Sequence, residues 1–147
     1  MKADPKTQAE VAQTFKGMFE AYKKRDLKAT LSFWAPDPDV VVIGSGTEEK
    51  GIGLAQLTEN LKRDWSQGEV LTIGVKDFLV SESGLVAWLS ADSTFHVRVP
   101  EGEFDLAGRI TGVMEQRNGK WLWVQMHFST PSREQEPGQS WPKPNQL

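Results

Sequence analysis

The 147-residue sequence predicts an α+β protein with three amino-terminal helices packed on an antiparallel sheet. Two patterns carry this reading. As far as Gly68 the apolar residues recur at three- and four-residue spacings, the period of a helix face. Beyond it the chain alternates and is cut by Ser83-Gly84, Pro100-Glu101-Gly102 and Asn118-Gly119, the punctuation of a meander. At this length, with 38% hydrophobic residues besides the 13 glycines, one domain with one core is expected.

Val11, Phe15, Met18, Phe19 and Tyr22 share one helical face. Asp4 before Pro5, or Thr7 with Glu10, supplies a start, and the helix should stop near Asp26. Asp26 then caps a short helix carrying Leu27, Leu31 and Trp34, ended by Pro36 and Pro38. Val40 to Ile43 is a β-branched run entering a Gly44-Ser45-Gly46 turn, so a short strand is expected there, with Thr47 to Lys50 pairing back on it. Leu54, Leu57, Leu61 and Trp65 make a third helix ending at Gln67-Gly68. Strands follow over Val70 to Val80, Leu85 to Val99, Glu103 to Gln116 and Lys120 to Ser129. The domain is expected to occupy residues 1–131, and residues 132–147 form a Pro-rich tail, with Trp141 its one anchor.

Composition excludes several functions. Seventeen basic against 20 acidic residues leave a formal charge of -3, with no general attraction for nucleic acid or an anionic membrane. Zero cysteines and two histidines exclude thiolate chemistry and a multi-histidine metal site, so no metal and no cofactor are expected. No apolar run approaches the roughly 20 residues of a spanning helix. The polar start Met1-Lys2-Ala3-Asp4-Pro5 is unlike a secretory signal, which points to a cytoplasmic protein or a trimmed mature form.

Register assigns the faces of the sheet, because a one-residue slip inverts every side chain. A two-residue Asn118-Gly119 hairpin mixes apolar and polar positions. A three-residue loop with Gly119 as the bulge residue pairs Met114 with Leu122 and Ile110 with Met126, and sorts them. One face then holds Phe104, Leu106, Ile110, Met114, Leu122, Val124, Met126 and Phe128, and must meet the helices. The other holds Trp88, Asp92, Thr94, Arg109, Trp121, Trp123, Gln125 and His127. Tryptophans among polar groups suit a buried protein contact, so this face reads as a dimer interface that Trp123→Glu would break. The cluster Asp92, Thr94, Arg109 and His127 fits a hydrogen-bonded network across that interface better than a proton-transfer site. The glycines at 44, 46, 51 and 53 match no phosphate-binding pattern and read as turn residues.

The element order, with Gly108-Arg109-Ile110-Thr111 and the run Asn118-Gly119-Lys120-Trp121-Leu122-Trp123-Val124-Gln125-Met126-His127-Phe128-Ser129, resembles the nuclear transport factor 2-like superfamily. The similarity is greatest to its SnoaL-like domains and to the association domain of calcium/calmodulin-dependent protein kinases. The resemblance implies a strongly curved sheet forming a cone around the helices, an internal pocket at its wide end, and dimerisation through the outer sheet face. In the ketosteroid isomerase branch a carboxylate base sits nine residues before the glycine that precedes the third helix. Counting back from Gly51 gives Val42, an apolar residue.

Acid–base chemistry needs titratable groups converging in a water-poor cavity. The sorted inner face offers none, so candidates come from helices and loops: Tyr22, Asp37 and Asp39 first, then Asp77 and Glu48, each with a plain structural role as the alternative. The expected pocket lining is Phe15, Phe19, Tyr22, Trp34, Trp65, Phe95, Phe104, Ile110, Met126 and Phe128. The resulting expectation is a homodimeric SnoaL-like domain that binds a small, largely apolar molecule without a clear catalytic pair. The alternatives are a polyketide cyclase, isomerase or dehydratase using pocket Tyr and Asp groups, and an oligomerisation module.

Overall fold

A computed structural model describes residues 1–146 of the chain. Helix α1 runs Pro5–Lys23, α2 Leu27–Ser32 and α3 Gly53–Gln67. The strands are β1 Val41–Ile43, β2 Lys50–Ile52, β3 Glu69–Ser83, β4 Val86–Val99, β5 Gly102–Arg117 and β6 Lys120–Ser129. They form one curved, open sheet in the order β2-β1-β6-β5-β4-β3, antiparallel except where β1 lies parallel to β6.

Of the two starts offered for α1, Asp4 is the one used: its carboxylate accepts from Thr7 N at 2.7 Å, with Pro5 in the first turn. Asp26 caps α2 through Ala29 N at 3.0 Å. Trp34 lies just beyond α2, where the chain straightens and bridges to β6, Trp123 N donating to Phe33 O and Ala35 N to Trp123 O, both at 2.9 Å. The return strand after Gly46 is Lys50–Ile52, later than the expected Thr47 to Lys50. Among the described residues the tail carries one 3-10 turn, Pro144–Gln146, and Trp141 is 83% exposed rather than packed as an anchor.

The β5–β6 register differs from the sequence reading. Arg117 pairs with Lys120, and Asn118 and Gly119 both have positive φ, 51° and 76°, the requirement of a two-residue type I′ turn. Pairing then runs Gln116↔Trp121 and Met114↔Trp123, jumps at Val124, and resumes with Val113↔Gln125, Gly112↔Met126 and Ile110↔Phe128. Val124 is an extra residue, a β-bulge, and it inverts the alternation midway along β6. The strand therefore turns Trp121, Trp123, Met126 and Phe128 to the same inner side, a set that no bulge-free register allows.

Trp121 and Trp123, assigned by sequence to the dimer interface, are instead core residues, 5% and 0% exposed. Leu122 and Val124, assigned to the core, are partly buried residues on the opposite face. Trp123 stacks on Trp34 with ring centroids 5.9 Å apart and touches Phe15 at the same separation. Both indole N–H groups, of Trp34 and Trp123, are buried without a hydrogen-bond partner among the described residues, so the rings are held by packing and by the backbone bridge between the two residues. Along β4 the alternation holds: Ala87, Leu89, Ala91 and Phe95 are buried against the helices.

Candidate functional site

Curvature leaves a cavity of about 380 Å³ between the inner face of the sheet and helices α1 and α3. Its wall is mostly apolar: α1 supplies Met18 and Phe19, α3 Leu57 and Leu61, and the sheet Phe95, Ile110, Met126 and Phe128. Trp34 and Thr30 reach it from the α2 region, and Val42 from β1. Val42, which the resemblance sets at the base position of the ketosteroid isomerase branch, pairs with Gly51 and lines this cavity with an apolar side chain.

Polar groups gather at one end. Tyr22, on the inner stripe of α1, donates its hydroxyl to Asp64 Oδ2 at 3.3 Å. Arg63, beside Asp64 on α3, donates to Glu49 Oε1 at 3.3 Å, and the other Glu49 oxygen accepts from Gly46 N at 2.8 Å. Asn60, Gln67 and Ser45 also line the cavity. Burial, with the Glu49 carboxylate nearby, raises the pKa of Asp64 above the ordinary aspartate value. Burial, and then the Asp64 charge, holds the Tyr22 hydroxyl firmly protonated. The pair thus consists of a phenol that stays a donor and a carboxylate that is reluctant to ionise.

The Asp64 shift fixes the sign of a pH effect. A raised folded-state pKa means that the folded chain binds this proton more tightly than the unfolded chain, so Asp64 costs stability once pH rises past both values. Asp64→Asn, which keeps an oxygen for Tyr22, is expected to raise the urea midpoint at about pH 7.5, with the gain shrinking at about pH 4. A midpoint unchanged or lowered at the higher pH would show that Asp64 is not strained by burial.

Of the sequence candidates, Phe19, Tyr22, Trp34, Phe95, Ile110, Met126 and Phe128 line the cavity. Phe15 does not; it is 2% exposed and packs against Phe19, Phe78 and Trp123 behind the wall. Phe104 is 44% exposed near the start of β5. Trp65 lies behind Tyr22, its indole donating to Tyr22 O at 3.0 Å. Asp37 is outside the cavity, clasped by both terminal nitrogens of Arg117, and this contact holds its carboxyl below the ordinary range. Asp39, Glu48 and Asp77 are exposed. Their turn and loop roles explain them, as Asp77 shows with its φ of 50° at the β3 bulge.

The outer face retains Trp88, Asp92, Thr94, Arg109, Gln125 and His127. Asp92 is opposite Arg109, but His127 faces Thr111 rather than Arg109. No hydrogen bond joins Asp92, Thr94, Arg109 and His127 among the described residues, so the expected network is not formed within one chain.

Glu49, Asn60, Arg63 and Asp64 were missed. For Asp64 a signal existed: Leu54, Leu57 and Leu61 continue at the same spacing to position 64, so a carboxylate falls on the buried stripe of α3. The Glu49–Arg63 pair has no such signal, because it joins a turn to a helix only after folding.

The comparisons agree with this architecture. No curated protein sequence matches the chain. A nuclear transport factor 2-like superfamily protein from Salmonella enterica superposes with a TM-score of 0.78 at 18% identity, covering 95% of this chain and 100% of that one. A ketosteroid isomerase-like protein from Erwinia carotovora gives 0.75 at 15% identity, with 88% and 99% covered. A Nostoc punctiforme protein with a cystatin-like fold gives 0.71 at 13% identity, with 95% and 98% covered. At these identities the likeness establishes the fold and leaves activity open. The sequence profile of the SnoaL-like domain matches residues 11–133, from the inner stripe of α1 to just beyond β6. The chain belongs to the SnoaL-like domain family and has the fold of nuclear transport factor 2-like proteins.

Proposed function

We propose that the protein binds a small, largely apolar molecule in the cone-shaped cavity and works as a homodimer joined through the outer sheet face. The observation that carries the binding reading is the cavity itself: about 380 Å³ of space inside an apolar wall with its polar groups at one end. That is the size and polarity distribution of a ligand site. A filled core would support a purely oligomeric role, and this core is not filled. The enzyme alternative ranks second because Val42 occupies the position of the isomerase base, although Tyr22 and Asp64 supply a donor and a perturbed carboxylate. The dimer reading rests on the outer face, where Trp88 and Val113 are half-buried and Leu79 is 67% exposed.

Native mass spectrometry with added phenylbutanol tests both parts. The expected result is two chains carrying one alcohol each, and Trp88→Glu should shift the spectrum to monomer while leaving uptake intact. A wild-type monomer would overturn the pairing, and a protein that takes up no alcohol would overturn the pocket.

A further inference from the structure

At the polar end of the cavity two of the three charged side chains satisfy each other. Arg63 is directed to Glu49 at 3.3 Å, and Glu49 is further held by Gly46 N at 2.8 Å. Arg25, the other cation near Tyr22, is turned to the carbonyl of Gly68 at 2.9 Å. The carboxylate of the third lining charge, Asp64, accepts only the Tyr22 hydroxyl among the described residues, at 3.3 Å. A carboxylate can accept about four hydrogen bonds, and Arg63, whose charge acts on Asp64 through space, is bonded to Glu49 instead, so two half-buried carboxylates share one guanidinium at this end.

The walls beside it are aromatic. Tyr22, Phe19, Phe95 and Phe128 all line the cavity in an unbroken chain of ring contacts, with centroids 6.5, 5.9 and 5.4 Å apart in that order. Aromatic faces are negative and attract cations, whereas an anion entering here would meet two carboxylates, Glu49 and Asp64, against the one lining guanidinium of Arg63, which already donates to Glu49.

We infer that the cavity selects a cationic amine on an apolar body, its ammonium donating to Asp64 and its body lying along the Phe19–Phe95–Phe128 wall. This rests on the reading of the cavity as a binding site. The polarity of the site distinguishes it from one built for a carboxylate, where the uncommitted group would be a cation.

Isothermal titration of wild type and Asp64→Asn with phenylbutylamine, phenylbutanol and phenylbutyrate at about pH 7.5 tests it. Wild type is expected to prefer the amine over the alcohol by about tenfold or more and to reject the carboxylate. Asp64→Asn should bring the amine down to the level that the alcohol reaches on the same variant. If none of the three binds, the binding reading falls and takes this inference with it. If the alcohol binds and the amine binds no better, if the carboxylate binds best, or if Asp64→Asn keeps the amine preference, the cavity stands and the amine inference is overturned.

Discussion

Trp123→Glu is expected to abolish cooperative folding near neutral pH. Trp123 is fully buried, and its ring is held between Trp34 and Phe15. Removing such an indole costs roughly 3–5 kcal/mol in lost packing and cavity formation. An ionised carboxylate buried at that point costs several kcal/mol more or forces the side chain to take up a proton. The two terms together reach the whole stability of an ordinary domain, about 5–15 kcal/mol. The mutant should show no near-UV circular dichroism and no sigmoidal urea transition, while Trp123→Phe, which keeps an aromatic in the slot, should fold at a cost of about 1–2 kcal/mol. A Trp123→Glu protein that folds normally and merely dissociates would restore the outward orientation and discard the bulged register.

Gly112→Ala is expected to destabilise the fold by about 2–3 kcal/mol, the upper part of the range for overpacking. A Cβ on Gly112 would collide with Cζ3 of Trp123 and lie 2.9 Å from the backbone oxygen of Gln125. The ring cannot retreat, since Phe15 and Trp34 close the other sides, and the carbonyl belongs to the neighbouring strand. The entropy recovered by replacing a strand glycine, about 0.5–1 kcal/mol, offsets only part of this. Gly74→Ala serves as the control: its nearest neighbour would be Thr94 O at 3.9 Å, so the urea midpoint should stay or rise slightly. If Gly112→Ala proved as mild as Gly74→Ala, Trp123 could not lie over Gly112. Combining Gly112→Ala with Trp123→Phe should cost less than the sum of the two, because the smaller ring frees the space that the methyl needs.

These two residues mark where sequence reasoning reached its limit. The helix faces, the caps at Asp4 and Asp26, and the glycine and Asn-Gly breaks between strands are local. Each depends on residues a few positions apart, and each is legible in the chain. Family membership was legible for the same reason, from the order of those elements and the run along β6. Even part of the cavity was visible, since the inward positions of α1 and of β4 follow from simple periods of 3.6 and 2.

The orientation of Trp121 and Trp123 was decided by tertiary structure. Period-2 reasoning assumes an unbroken ladder, and one extra residue at Val124 reverses it without any mark in composition. The bulge is stabilised by what lies on both sides of it, a tight Asn118-Gly119 turn and a slot over Gly112 that an indole fills. The polar end of the cavity was decided in the same way. Tyr22 and Asp64 are 42 positions apart and Glu49 and Arg63 are 14 apart, and only the packing of α1 and α3 against the curved sheet brings their side chains to one place. Local patterns determined which elements this chain forms, and long-range packing determined which residues face its cavity, because burial and charge pairing depend on neighbours that the linear sequence does not order.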